Sequence, residues 1–282
     1  MKKPDVITTV ADLRARVSGW RKDGACVGLV PTMGALHEGH LSLIVDAAGR
    51  SERVVVSIFV NPRQFGPTED FQRYPRNFED DRAKIAAQGL TDAIFFPDRD
   101  EIYPDGFATE IIVGGPSVGL ESEFRPHFFA GVATIVAKLL IAVAPDIAVF
   151  GEKDYQQLLV VHRAVRDLAL PIEIIGAPVV READGLAMSS RNAYLGPRER
   201  AIAGKLNQVL ADVGERIRSG VSVHDAEEEG RRALTAAGFD SVDYVAVRNA
   251  HTLEKPEAPS GDIRILAAAT ISGTRLIDNL PA

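Results

Sequence analysis

The sequence predicts an α/β protein, a parallel sheet with crossover helices followed by a smaller α+β module. Short apolar, β-branched runs recur at 27–30, 54–60, 93–96, 147–150 and 172–175. Stretches with helical spacing, such as 77–88 and 155–168, lie between them, and that alternation is the pattern of parallel strands joined by helices. Polar motifs directly follow the runs, and sheets of this kind place their ligands beyond the carboxyl ends of the strands.

The N-terminus is basic, but no apolar stretch follows before Asp12 and Arg14, so it does not read as a signal peptide. The first strand is expected from Cys26 to Val30, with Cys26 packed in the core. It leads into Pro31-Thr32-Met33-Gly34-Ala35-Leu36-His37-Glu38-Gly39-His40, with a helix beginning near Gly39 and His40. The second run leads to Asn61-Pro62-Arg63-Gln64-Phe65-Gly66, the third to Pro97-Asp98 and the fourth to Gly151-Glu152-Lys153-Asp154. The stretch 130–144 contains Lys138 and falls short of the roughly 20 apolar residues that span a bilayer, so it is expected as a buried helix.

After about Gly176 the pattern changes. A loop of small and charged residues, Arg181 to Gly185, leads to Met188-Ser189-Ser190-Arg191-Asn192. Pro197 suits a helix start, 199–218 reads as one long helix and 224–237 as another. Apolar runs at 242–247, 263–268 and 275–276 then predict a small antiparallel sheet. The expected partition is a first domain over 1–176 and a second over 177–282.

Of the 282 residues 46% are hydrophobic, enough for a substantial core. The formal net charge of −7 and a pI near 5.5 argue against a broad basic surface, and no nucleic-acid partner is expected. The single cysteine rules out an internal disulfide framework and points to a reducing, cytoplasmic compartment. No membrane segment is expected.

The chemistry concentrates at the strand ends. A glycine-bearing turn entering a helix offers backbone N–H groups and the positive end of a dipole to phosphates. His37 and His40 are three apart, so both rings can face one bound anion; His-x-Gly-His after an apolar strand also resembles the pattern of nucleotidyl-transferring enzymes, whose rings stabilise charge on a leaving pyrophosphate. The spacing is not that of a His-Glu-x-x-His zinc site, and a pair of capping histidines is the plainer alternative. Ser189, Ser190 and Arg191 provide hydroxyls and a guanidinium for phosphate oxygens, although such triplets are common in surface loops. Lys153 can neutralise a phosphate and Asp154 can cap a helix or take a ribose hydroxyl, and an ordinary capped turn explains them equally. Asn61 and Gln64 are neutral groups suited to a hydroxylated or carboxylated substrate, or simply a turn around Pro62. Of Gln156 and Gln157, one amide is expected to face the same crevice and the other outward. Asp80 and Asp81 either assist a magnesium ion or are solvated residues in a first helical turn.

The motifs at 31–40, 60–65, 150–158 and 184–192, with Tyr74-Pro75-Arg76 and Tyr103-Pro104-Asp105-Gly106, together resemble the pantoate–β-alanine ligase family across nearly the whole chain. The resemblance implies a Rossmann-like, nucleotidyltransferase-type ATP-binding domain, a C-terminal lid and a homodimer. It implies ATP with Mg2+, (R)-pantoate and β-alanine as reactants, and a pantoyl adenylate intermediate. Carried onto this sequence, Met33, Gly34, His37, Gly39 and His40 belong to the ATP loop, with His40 as proposed acid. Gly151, Glu152, Lys153, Asp154 and Val180 line the nucleotide, while Met188, Ser189, Ser190 and Arg191 close on the phosphates. Asn61, Gln64 and Gln157 fall to the substrates, and no metal ligand set is assigned. One stretch departs from the family pattern Arg-Pro-Gly-His-Phe-x-Gly-Val, since this chain reads Arg125-Pro126-His127-Phe128-Phe129-Ala130-Gly131-Val132. No role is carried onto His127 or Phe128.

Two rival readings differ in class. A nucleotidyltransferase acting on a phosphorylated acceptor would share the histidine motif but require extra cations, whereas Asn61, Gln64 and Gln157 are neutral. A silent nucleotide-binding regulator would not need His37, His40, Lys153 and Arg191 together.

Overall fold

The computed structural model describes residues 3–67, 69–256 and 261–282, so the opening Met1 and Lys2 lie outside the described residues. Two compact units emerge. The first comprises Met1–Ser117, Arg125–Glu152 and Gln157–Pro178, and the second Val118–Phe124, Lys153–Gln156 and Val179–Ala282.

The first unit holds β1 (Asp5–Ile7), α1 (Val10–Lys22), β2 (Val27–Thr32), α2 (Glu38–Arg50), β3 (Arg53–Ile58), α3 (Phe78–Gln88), β4 (Ala93–Phe95) and the short α4 (Arg99–Ile102). The chain continues through α5 (Glu121–Phe124), which belongs to the second unit, to α6 (Phe128–Val143), β5 (Ile147–Gly151), α7 (Tyr155–Asp167) and β6 (Glu173–Ala177). The six strands form one sheet in the order β1-β4-β3-β2-β5-β6, every pair parallel.

Side-chain alternation along the strands builds two cores. Leu29, Val55, Phe95 and Ala148 face a layer with Leu13, Val17, Val132, Leu140 and Val161, while Val30, Val56, Ile94 and Val149 face Leu43, Ile44 and Ile85. Burial on both faces explains why these strands read as continuous apolar runs. The expected buried helix over 130–144 is α6, apolar almost all round. Among the described residues no helix is long and apolar enough to cross a membrane.

Strand order reverses between β2 and β5. These two strands match only at Gly28–Ile147 and Leu29–Ala148, whereas β2 stays in register with β3 as far as Thr32–Ile58. The carbonyl of Val27 faces β5, accepting from Asp146, so by alternation Pro31 also lies on that side, where pairing has ended. A proline in a central strand is tolerated here because no ladder bond awaits its missing N–H. The strands therefore part at their carboxyl ends, the place where open α/β sheets bind ligands.

The second unit contains α8 (Pro197–Ala203), α9 (Lys205–Arg218) and α10 (Val223–Ala237), then β7 (Ser241–Asn249), β8 (Ile263–Ile271) and β9 (Thr274–Pro281) in an antiparallel sheet. Leu206, Leu210, Val213 and Leu234 pack on Val245, Val247, Ile265 and Ala267.

Several expectations need correction. The helix expected over 199–218 is two helices meeting at Gly204, where the Asp184 carboxylate occupies the space a side chain would need. β1, Asp5–Ile7, lies outside the apolar runs that the sequence marks as strands. Cys26 lies just before β2 rather than in a strand and is only half-buried, its thiol against the carbonyl of Arg50. The third strand of the small sheet runs well beyond 275–276.

Candidate active site

The loop leaving β2 is held from several sides. Thr32 Oγ1 donates to the carbonyl of Ser57 at 2.8 Å and accepts the Gly34 N–H at 3.2 Å. Gly34 and Ala35 both take positive φ, 81° and 52°, and a Cβ on Gly34 would come within 2.9 Å of Asp81 Oδ2. Asp81, in the first turn of α3, accepts the N–H groups of Ala35 at 2.8 Å and Leu36 at 2.7 Å. It is buried rather than solvated, and burial pushes its carboxyl above the ordinary range against the opposing pull of those two N–H groups. Lys84 adds a hydrogen bond to the carbonyl of Leu36 at 2.8 Å.

His37 is the N-cap of α2. Its Nδ1 accepts the N–H of Gly39 at 3.1 Å, and His40 Nδ1 accepts the N–H of His37 at 3.3 Å. The ring centroids stand 4.1 Å apart. Capping and anion binding, alternatives in the sequence, are thus compatible on one pair of rings. An Nδ1 that accepts a backbone N–H places the neutral ring's proton on Nε2 in both imidazoles. The Gly39 amide is already engaged by the His37 ring. Met33 and Gly34 precede this turn in the same unit.

Asn61 and Gln64 follow β3 in a short turn and are 1% and 8% exposed. Asn61 Nδ2 donates to Gln64 Oε1 at 2.9 Å and to the carbonyl of Gly131 at 3.1 Å. Its Oδ1 accepts from Tyr103 Oη at 2.8 Å and from the Arg63 N–H at 3.3 Å. Both donors and both acceptor sites of Asn61 are therefore used within the protein. Gln64 Oε1 is taken by Asn61, which fixes the orientation of the Gln64 amide. Burial holds the Tyr103 hydroxyl protonated, its pKa pushed up to about 12.

The segment that departs from the family pattern supports this turn. Arg125 donates to both oxygens of Glu69, at 3.0 and 2.6 Å, and to the carbonyl of Gln64 at 2.9 Å, while lying over the Phe128 ring at 3.9 Å. His127 Nε2 stands 3.7 Å from Glu69. A side chain at Gly131 would run into the Arg63 carbonyl. Tyr103, Arg125 and Gly131 are missed by sequence reasoning, because their partners lie far away in the chain.

Gly151 ends β5, Glu152–Asp154 form a single 3-10 turn, and Gln157 lies in the first turn of α7. Glu152 and Gly151 belong to the first unit, Lys153 and Asp154 to the second. Lys153 Nζ is 4.0 Å from Asp154. Gln156 does not face outward. It is 4% exposed, donating to the carbonyl of Gly119 at 3.0 Å and accepting the Glu121 N–H at 3.1 Å, while Gln157 is half-buried.

In the second unit a small hairpin brings Val180 beside Met188. The Met188 N–H donates to the Val180 carbonyl at 3.0 Å and Arg181 bridges Ala187. Gly185 makes the turn with φ 90°, and Ser189 caps the following turn by accepting the Arg191 N–H at 3.3 Å. Asn192 ties that turn to Glu182 at 2.9 Å, and Arg200 holds Glu182 and Asp184 together. The predicted residues thus fall into a set on the first unit (Met33, Gly34, His37, Gly39, His40, Asn61, Gln64, Gly151, Glu152, Gln157) and a set on the second (Lys153, Asp154, Val180, Met188, Ser189, Ser190, Arg191).

The family model described as pantoate-beta-alanine ligase matches residues 5–281. A pantothenate synthetase of Mesorhizobium japonicum is 56% identical over 280 residues, 99% of this chain and 98% of that protein. One from Rhodospirillum rubrum is 53% identical over 281 residues, 99% of each. Among solved structures, a pantothenate synthetase of Thermus thermophilus matches with TM-score 0.91 at 46% identity, covering 98% of each chain. A pantoate-beta-alanine ligase of Francisella tularensis, complexed with beta-gamma ATP and beta-alanine, matches with TM-score 0.83 at 33% identity, over 98% of this chain and 97% of that one.

Proposed function

This chain belongs to the pantoate–β-alanine ligase family, and from that membership we propose how its own residues carry the family's reaction. The enzyme condenses (R)-pantoate with β-alanine in an ATP-dependent reaction. The pantoate carboxylate attacks the α-phosphorus of ATP and pyrophosphate departs. The amine of β-alanine then attacks the acyl carbon of pantoyl adenylate, and AMP leaves as pantothenate forms.

The observation that carries the residue assignment is the mutual capping of His37 and His40. Two Nε2–H donors on rings 4.1 Å apart suit the growing charge on a departing pyrophosphate, and His40 serves as the acid. Met33, Gly34 and Gly39 complete the ATP loop, with Gly151, Glu152, Lys153, Asp154 and Val180 along the nucleotide. Met188, Ser189, Ser190 and Arg191 grip the phosphates. Gln64 and Gln157 contact the substrates, with Asn61 acting through Gln64, because its own amide is committed to Tyr103, Arg63, Gly131 and Gln64.

The C-terminal residues, 177–282 in the sequence partition, serve as a lid, the role the family resemblance implies. A lid has a chemical purpose here, since acyl adenylates hydrolyse in water. Mg2+ arrives with ATP. Among the described residues no three His, Cys, Asp or Glu side chains gather into a metal site. The working state is a cytoplasmic homodimer. Omitting each reactant in turn tests the assignment of activity: AMP release requires pantoate and β-alanine together, and sustained release with pantoate absent would reject it.

A further inference from the structure

Lys153 stands on a three-residue turn, and within its unit the backbone of that turn is held by a residue from the end of the chain. Asn279 in β9 donates from Nδ2 to the carbonyl of Lys153 at 2.9 Å and is 2% exposed. The orientation of its amide is dictated from the other side, because Arg264 Nε donates to Oδ1 at 2.7 Å. Arg264 in turn lies over the ring of Tyr155 at 4.1 Å, and the Tyr155 hydroxyl donates to the carbonyl of Ala250 at 2.9 Å.

The neighbouring Asp278 performs the matching task for the hairpin that leads to Ser189. It accepts from Arg181 through both oxygens, at 2.7 and 3.0 Å, and Arg181 also donates to the carbonyls of Gly185 at 2.9 Å and Asn279 at 3.1 Å. Burying an ion pair and an amide side by side carries a desolvation cost that apolar residues would avoid, so their value lies in direction rather than in raw stability. Two consecutive residues of one strand thereby set the turn bearing Lys153 and the hairpin bearing Val180 and Met188.

We propose that Asn279 is a positioning residue for Lys153, and that Asp278 and Asn279 together hold Lys153 and the 180–191 segment in one frame for a nucleotide polyphosphate. The proposal rests on the assignment of Lys153 to phosphate binding. A hydrogen bond to the Lys153 carbonyl fixes the peptide plane and hence the direction in which the side chain leaves the backbone. Misplacement of a charged group by about 1 Å costs on the order of 100-fold in rate.

The test is a double-variant cycle in the full-length enzyme. Asn279→Asp keeps the size and the acceptor for Arg264 but has no N–H for Lys153, and it is compared with Lys153→Met and with the double variant. The readouts are exchange of labelled pyrophosphate into MgATP with (R)-pantoate present, the dissociation constant of (R)-pantoate, and the thermal midpoint. Asn279→Asp is expected to slow exchange by about 10- to 100-fold with pantoate affinity changed less than about twofold. The double variant should be no slower than Lys153→Met within about twofold, because nothing is left to position. Losses that multiply in the double variant, or an Asn279→Asp enzyme within about twofold of the parent, overturn the proposal while leaving Lys153 in place. Unchanged exchange in Lys153→Met overturns the assignment of Lys153 and this proposal with it. If the buried aspartate prevents folding, Asn279→Ala takes its place in the cycle with the same expected outcomes.

Discussion

The carboxylate of Asp81 accepts the backbone N–H of Leu36 at 2.7 Å, fastening the turn before His37 to the first turn of α3. The other oxygen takes Ala35, so a residue with φ 52° is held by a partner it could not find locally. Asp81→Asn places an NH2 against one of those two N–H groups. The variant should lose about 1–3 kcal/mol of stability and slow adenylate formation, as read by urea unfolding and pyrophosphate exchange. A variant equal to the parent in both would show that the turn holds itself.

Capping and catalysis can be separated at His37. Asparagine is a good N-cap, so His37→Asn should retain most of the stability that His37→Ala loses, about 1 kcal/mol, while both remain defective in adenylate formation. Recovery of exchange by asparagine would reduce His37 to a cap.

His40→Ala should lower adenylate formation far more than it weakens pantoate binding, because its contact strengthens as pyrophosphate departs. Single-turnover kinetics beside equilibrium pantoate binding give the two numbers. Equal losses in both would assign His40 to ground-state binding.

Tyr103→Phe removes one donor to Asn61 and loosens the grip on Gln64. The KM for pantoate should rise about 10-fold with ATP affinity unaffected. The same hydroxyl provides a pH test. Its pKa of about 12 in the folded enzyme lies above the ordinary 10.0 of an unfolded tyrosine. Its contribution to stability is therefore complete below pH 10 and is lost as the pH rises toward 12. Tyrosinate absorbance of the folded enzyme near pH 10.5 should be the same in parent and Tyr103→Phe. A smaller signal in the variant would place the titration of Tyr103 in the ordinary range.

Gly131→Ala directs a methyl into the carbonyl of Arg63, in the turn that carries Gln64. Overpacking against backbone should cost about 1–3 kcal/mol and lower the thermal midpoint, with pantoate binding impaired more than ATP binding. An unshifted midpoint would mean that the turn yields freely.

The central sheet is legible in the sequence because burial on both faces writes β2 to β5 as near-continuous apolar runs. β1 is not, since three residues at the sheet edge carry no period. The break at Gly204 is hidden because its cause, the Asp184 carboxylate, lies outside the helical pattern. The histidine motif and its helix start are visible locally, but the mutual capping of the two rings needs coordinates. Asp81, Tyr103 and Asn279 reach their partners across separations of 45, 42 and 126 residues. Such polar contacts leave no periodic trace, so an aspartate in a first helical turn reads as solvated although the fold buries it.

The most direct test of the two-step account is exchange of labelled pyrophosphate into MgATP with (R)-pantoate present and β-alanine absent. Exchange should depend wholly on pantoate, because the adenylate forms reversibly before the amine is needed. Exchange without pantoate, or none from folded enzyme that binds both ATP and pantoate, would contradict it.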